Sequence, residues 1–230
     1  MARKIKIPNE RLKQFAREEQ KRKKNIRIKR KYYLIVCEGA ATEPNYFEGL
    51  KQDLPKGILT SYQIDIEGTG MNTQSLLNEA LRLKSEYEKN QGRAIDRLWV
   101  VFDRDSFSSN NFNSAIQQCR ENKPEIGCAW SNEAFELWYL LHFQYYENAM
   151  SRKDFKELIE NNLKPILGEQ FRYEKNSEQM YALVKEHGNQ EGAIRNGKRL
   201  AELYGKRQDY ANHNPCTMIW MLVEELMELK

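Results

Sequence analysis

Leu98-Trp99-Val100-Val101-Phe102 is an unbroken apolar block, and it stops abruptly at Asp103-Arg104-Asp105. A short run of strand formers without polar alternation marks a strand buried on both faces, the kind found in parallel sheets covered by helices on each side. Tyr32-Tyr33-Leu34-Ile35-Val36-Cys37 is a second such run, and it too ends in an acid, Glu38, followed by Gly39. At the carboxyl edge of a parallel sheet the chain emerges into the crevice where open α/β folds bind ligands. Right-handed crossovers put the carboxyl ends of all parallel strands on one edge, so Glu38, Asp103 and Asp105 are expected to share a crevice.

The intervening pattern agrees. Ser61–Glu67 alternates, with Tyr62, Ile64 and Ile66 on one face, and reads as an edge or half-exposed strand; Ile126–Trp130 reads as a short fourth strand. Helices are expected from Thr42, a candidate N-cap, to about Lys51, from Asn72 or Thr73 to about Gln91, and from about Asn111 to Asn122. Strands alternating with helices specify an α/β fold with a mostly parallel sheet flanked by helices. Ser131 and Asn132 are placed to cap a helix from Glu133 to about Tyr146 that is apolar nearly all round and therefore buried. Glu136 lies within it. A buried acid is costly unless paired, hydrogen-bonded or bound to a cation, so Glu136 is a candidate fourth carboxylate, whereas His142 reads as a core histidine. Beyond Met150 the strand pattern ends and helices are expected over about 151–162, 177–187, 191–205 and 217–229. The division is thus a basic arm over 1–30, an α/β domain over 31–150, and a helical C-terminal subdomain over 151–230 packed on it.

Residues two apart on an extended segment point the same way, so Asp103 and Asp105 are expected to converge. Two convergent carboxylates suit a hard cation such as Mg2+ or Mn2+, which keeps waters for a phosphate to replace. The other reading is that both acids solvate and cap the turn before Ser106–Asn111. Gly39 beside Glu38 allows a close backbone approach, and the following helix start offers free N–H groups to an anion.

Charge points to the partner. Through residue 31 there are 14 lysines and arginines against 3 acids, a net +11 that leaves −7 for the rest of a chain of net +4. A basic arm beside an acidic body favours a polyanion, nucleic acid first; a solubilising tail is the alternative. Arg195, Lys198 and Arg199 fall at i, i+3 and i+4 on one helix and form a basic face for phosphates, or simply a solvated face. No apolar run reaches the roughly 18 residues of a membrane span, and the leader lacks the apolar core of a secretory signal, so a cytoplasmic setting with no membrane partner is expected. Cys37, Cys119, Cys128 and Cys216 are widely spaced and read as reduced thiols. Gly192-Ala193-Ile194-Arg195-Asn196-Gly197-Lys198 imitates a P-loop, but Arg199 stands where Ser or Thr is required and no strand precedes it.

Glu38 after the first strand and Asp103-x-Asp105 after the third resemble the catalytic acids of Toprim-type domains, found in primases, topoisomerases and nucleases. A narrower resemblance, to the RloB family, covers almost the whole chain. It is carried by Val36-Cys-Glu-Gly39, Thr42-Glu-Pro-Asn-Tyr-Phe47, Gly68-Thr-Gly70 with Asn72-Thr73, Val101-Phe-Asp-Arg-Asp105, Ser131-Asn132 with Phe135-Glu136-Leu-Trp138, Leu141-His-Phe143 and Asn214-Pro-Cys-Thr217. Glu133 departs from the proline common after the Ser-Asn pair. The resemblance implies a role linked to restriction or abortive phage infection, often with a companion ATPase in another chain. The reading that follows is a Toprim-type endonuclease acting on RNA, including tRNA, or on DNA. Asp103 and Asp105 are then expected to hold Mg2+ or Mn2+, Glu38 to be a second-metal ligand or general base, and Glu136 to be an outer ligand or to orient one of the others. The rival is a non-catalytic sensing or binding module for the ATPase, its last apolar helix the docking surface. Oligomeric state is left open, a homo-oligomer included.

Overall fold

The computed structural model describes residues 30–70, 73–105 and 108–229, together with the single positions Glu10, Lys13 and Arg17. The rest of the basic arm, and Asn72 as a helix cap, lie outside the described residues. The arm and Lys31–Lys230 are separate units.

The apolar runs become neighbouring parallel strands. β1 (Lys31–Cys37) pairs in parallel with β2 (Tyr62–Gly68) on one side and β3 (Arg97–Asp103) on the other, and β3 pairs in parallel with β4 (Gly127–Asn132). The order is β2-β1-β3-β4-β5, with β2 on an edge as its alternation implies. β5 (Cys216–Thr217) adds antiparallel to Ser131 and Asn132; two residues leave no periodicity to read.

Alternation sorts the sheet into two cores. Tyr33, Ile35, Cys37, Trp99, Val101 and Ala129 face one side, where α1 (Thr42–Asp53) and α2 (Ile58–Ser61) pack. The later helices α5 (Glu136–Leu141), α6 (Asp154–Leu167), α7 (Met180–His187), α8 (Gln190–Tyr204) and α9 (Ile219–Met227) join that same core. Leu34, Val36, Leu98, Val100 and Phe102 face the other side, against α3 (Thr73–Gln91) and α4 (Ser109–Glu121). The helices beyond Met150 extend the first core rather than forming one of their own. Ile219, Leu222, Val223 and Leu226 of α9 are buried in it. Gly192 and Gly197 sit inside α8, so the P-loop imitation is helix.

Two expected helix caps are not made. Thr42 does not cap α1: the N-cap is Ala41, and the Thr42 hydroxyl instead donates to Lys175 O at 2.9 Å. Ser131 and Asn132 are strand residues. Oγ of Ser131 bonds Thr217 Oγ1 at 2.8 Å and Asn132 Nδ2 donates to Ala211 O at 3.0 Å, so neither side chain caps the next helix. That helix is also shorter than Glu133–Tyr146. The carbonyls that would carry it onward are taken, Leu141 O by Asn196 Nδ2 at 3.0 Å and His142 O by the Asn189 amide at 2.8 Å. α8 therefore stops α5.

His142 is core. Its Nδ1 bonds Trp138 O at 2.8 Å among the rings of Tyr46 and Trp138, and burial pushes its pKa down from 6.5 to about 4. Between those values the unfolded chain binds a proton that the folded chain refuses, so stability is lost as pH falls through this window. A His142→Gln variant is expected to show a shallower drop in Tm between about pH 6.5 and 4 than wild type, a contribution on the order of 3 kcal/mol at its full extent. Parallel Tm–pH curves would contradict it.

Candidate functional site

Strand parity places the first acid of the Asp-x-Asp pair. Asp103 ends β3 two residues after Val101, so it faces the α1 and α5 side and is 9% exposed. Glu38 leaves the end of β1, its amide bonded to Val101 O at 2.8 Å, and its Oε2 accepts from the Asp103 amide at 3.1 Å. The strand ends therefore bring Glu38 and Asp103 together, as their position on one sheet edge requires.

Asp105 arrives differently. Strand alternation ends at Asp103, and Asp105 adopts a left-handed conformation, φ 39°, with its amide bonded to Glu133 O at 3.1 Å. Its carboxylate forms an ion pair with Arg152. Asp105 lines the same cleft as Asp103, but a turn aims it, not an extended segment.

Two more acids come from the covering helices. Glu136 opens α5 and is 6% exposed; Oε1 accepts from Tyr173 OH at 3.0 Å, and Oε2 is buried with no hydrogen-bond partner among the described residues. Glu43, in the first turn of α1, is 5% exposed and held by its own amide and that of Gly39. Glu38, Glu43, Asp103 and Asp105, with Arg152 and Lys175, line a cleft of about 220 Å³. The Lys175 segment is pinned to the start of α1 by the Thr42 bond and by Asn45 Nδ2 donating to Asn176 O at 3.3 Å.

Burial and crowding set the electrostatics. Desolvation, then the charges of Glu43, Glu136 and Glu38, push the Asp103 carboxyl well above its usual range. Burial, then Glu136, raises Glu43. Asp105 beside Arg152 raises the guanidinium pKa. A cation placed here relieves repulsion that the protein's own two cations leave in place.

The donor set fits a hard divalent cation: every candidate ligand is a carboxylate oxygen, and the orphaned Glu136 oxygen is a buried acceptor of the kind a cation or its water satisfies. The acids surround the cleft without closing on one point. Among the described residues no group of three or more His, Cys, Asp or Glu side chains is gathered closely enough to hold a metal as it stands. Glu38 is turned to the Asp103 amide and Asp105 to Arg152, so closure requires side-chain rotation.

The basic face of α8 is divided. Lys198 pairs with Glu224 at 2.5 Å and lies over the Trp220 ring, Arg199 stacks 3.9 Å from the Tyr145 ring centre, and Arg195 is exposed. None of the three lines the acid cleft. Arg199 instead borders a larger groove, about 590 Å³, with Tyr145, Glu147, Asp154 and Glu157. That groove mixes charges, and its acids come from α6 and the segment before it rather than from strand ends, so the smaller cleft is the chemical candidate.

Sequence reasoning missed Glu43, Arg152 and Lys175 as members of the cleft. An acid in a first helical turn is ordinary by helix electrostatics, and the usable signal was its closeness in sequence to Glu38. Arg152 and Lys175 come from connecting segments with no local pattern.

No helix among the described residues is long and apolar enough to cross a membrane. No curated protein and no solved structure matches the chain. The family model described as RloB-like protein matches residues 33–226, a span that contains all five acids. The chain belongs to the RloB-like protein family.

Proposed function

We propose that the chain is a Toprim-type, metal-dependent endonuclease of anti-phage defence. The observation that carries this reading is the gathering of Glu38, Glu43, Asp103 and Asp105 around one cleft at the carboxyl edge of the sheet, with Arg152 and Lys175 as its cations. Asp103 and Asp105 are the first ligands for Mg2+ or Mn2+, and Glu38 either joins them or takes a proton from the attacking water. Glu43 and Glu136, both buried, fix the cluster's charge and orient the others. When bound, the metal stabilises charge on the scissile phosphate and lowers the pKa of a bound water. Arg152 and Lys175 attract the phosphodiester to a cleft that would otherwise repel it. Hydrolysis adds water across one P–O bond, forming one and breaking the other.

The exposed cations of α8, and the positive charge of the basic arm, attract the polyanion, as RNA, including tRNA, or DNA. A nuclease of this kind harms its own cell unless restrained, so a companion ATPase in another chain gates it, and the setting is cytoplasmic. One observation favours a second reading, a non-catalytic module of that ATPase complex: Asp105 and Glu38 already have protein partners.

Cells expressing this chain with its neighbouring ATPase separate the two readings. After phage challenge, wild type is expected to yield RNA or DNA fragments with new ends, and Glu38→Ala to yield none and to lose protection. Protection that persists in Glu38→Ala, with intact RNA and DNA throughout, favours the module.

A further inference from the structure

Arg152 occupies an unusual position for a cation. Its side chain is 37% exposed and that of its partner Asp105 38%, so the pair sits at the mouth of the cleft rather than inside it. The backbone beneath both residues is fixed by Glu133. The Arg152 amide donates to Glu133 Oε2 at 2.8 Å, and the Asp105 amide donates to Glu133 O at 3.1 Å. One residue thus sets the spacing of the two main chains, while the long guanidinium arm can turn. The charges of Asp103 and Glu136 act on Arg152 as well.

Resting on the nuclease reading, we propose that Arg152 and a divalent cation are alternative partners of Asp105, and that the cation, on taking Asp105, turns the Arg152 guanidinium outward onto a phosphate oxygen of the nucleic acid. The sign of the forces dictates the exchange. A dication at Asp103 and Asp105 offers the carboxylates more charge than a guanidinium and repels Arg152 from the same place. A guanidinium matches a phosphate in a two-point fork, and the cleft mouth is where the backbone of a polyanion must lie. Arg152 then couples metal loading to substrate capture: the cleft holds phosphate well only after the cation has released the arginine.

The test uses the full chain and Mn2+ as the probe. Calorimetric titration is expected to show Arg152→Ala binding Mn2+ about threefold more tightly than wild type, the loss of a partly exposed competing ion pair. Arg152→Lys, which keeps the charge, is expected to stay near wild type, and Asp105→Asn to bind more weakly. In a second arm, Ca2+ is added to labelled single-stranded RNA and duplex DNA. Wild type is expected to gain affinity for one of them on Ca2+ addition, and Arg152→Ala to lose most of that gain. Mn2+ affinity unchanged or weakened in a folded Arg152→Ala, with wild type binding normally, overturns the exchange and leaves the nuclease reading intact. Wild type that binds no Mn2+ at all overturns both.

Discussion

An Asp103→Asn variant is expected to lose cleavage by at least ~10²-fold and yet to melt at a higher temperature than wild type at pH 7 in the presence of a chelator. The loss follows if Asp103 is the metal ligand proposed above, since even outer-shell partners of a metal commonly cost 10- to 100-fold. The gain follows from burial. Asp103 is pushed well above its ordinary value of 3.8 by desolvation and by Glu43, Glu136 and Glu38, and Glu43 is raised above 4.5 for similar reasons. Between the ordinary and the raised values the folded chain binds more protons than the unfolded one, so stability falls as pH rises through that window. Asparagine at 103 removes one charge from the crowd and with it part of that fall. Relief of a buried, poorly compensated charge is worth roughly 1–4 kcal/mol, several degrees for a chain of this length. The measurement is Tm against pH from about 4 to 8 in EDTA, read as the difference between the two proteins so that His142 cancels. The difference is expected to grow with pH; a difference that is flat, or favours wild type at pH 7, contradicts the crowding account.

Tyr46→Ala is expected to destabilise the fold by about 3–5 kcal/mol. Tyr46 is fully buried and its ring meets those of Phe47, Phe135, Trp138, Tyr139, His142 and Tyr181 at 5.3 to 6.4 Å. It is the point where α1, which carries Glu43, is packed against α5, which carries Glu136. Removing the ring opens a cavity between the helices that position both acids, so Tm is expected to fall by about 10 °C and the metal response to fall with it. Tyr46→Phe keeps the rings and loses the hydroxyl, with its bond to Gln190 Oε1 at 3.2 Å, at about 1 kcal/mol. Chemical denaturation of both variants checks this, and equal losses in the two would contradict a packing role.

The parts of this molecule that were legible from sequence are those governed by short-range pattern. β1 and β3 announce themselves by continuous apolar runs, and their endings in Glu38 and Asp103 follow because parallel strands share a carboxyl edge. Strand parity even assigns Asp103 to the face that receives α1 and α5. What was not legible depends on long-range contacts. The composition of 133–146 supports one long helix, and α5 ends at Leu141 because Asn189 and Asn196, far along the chain, claim the next carbonyls. Asp105 escapes the alternation rule because the strand has already ended. Glu43 looked like an ordinary first-turn acid, and the two cations of the cleft come from connecting segments whose sequence gives no hint of where they return. Glu38, Asp103, Asp105 and Glu136 were readable as candidates; Glu43 and the counter-charges were not.

The most direct test of the central claim is single-turnover cleavage by purified protein with the companion ATPase proposed above, on labelled tRNA, single-stranded RNA and plasmid DNA. Wild type and a folded Asp103→Asn are compared with Mn2+ and with chelator. The account predicts cut product from wild type with Mn2+, none with chelator, and none from Asp103→Asn in either. Cleavage by Asp103→Asn at the wild-type rate, or by wild type in chelator, would contradict it.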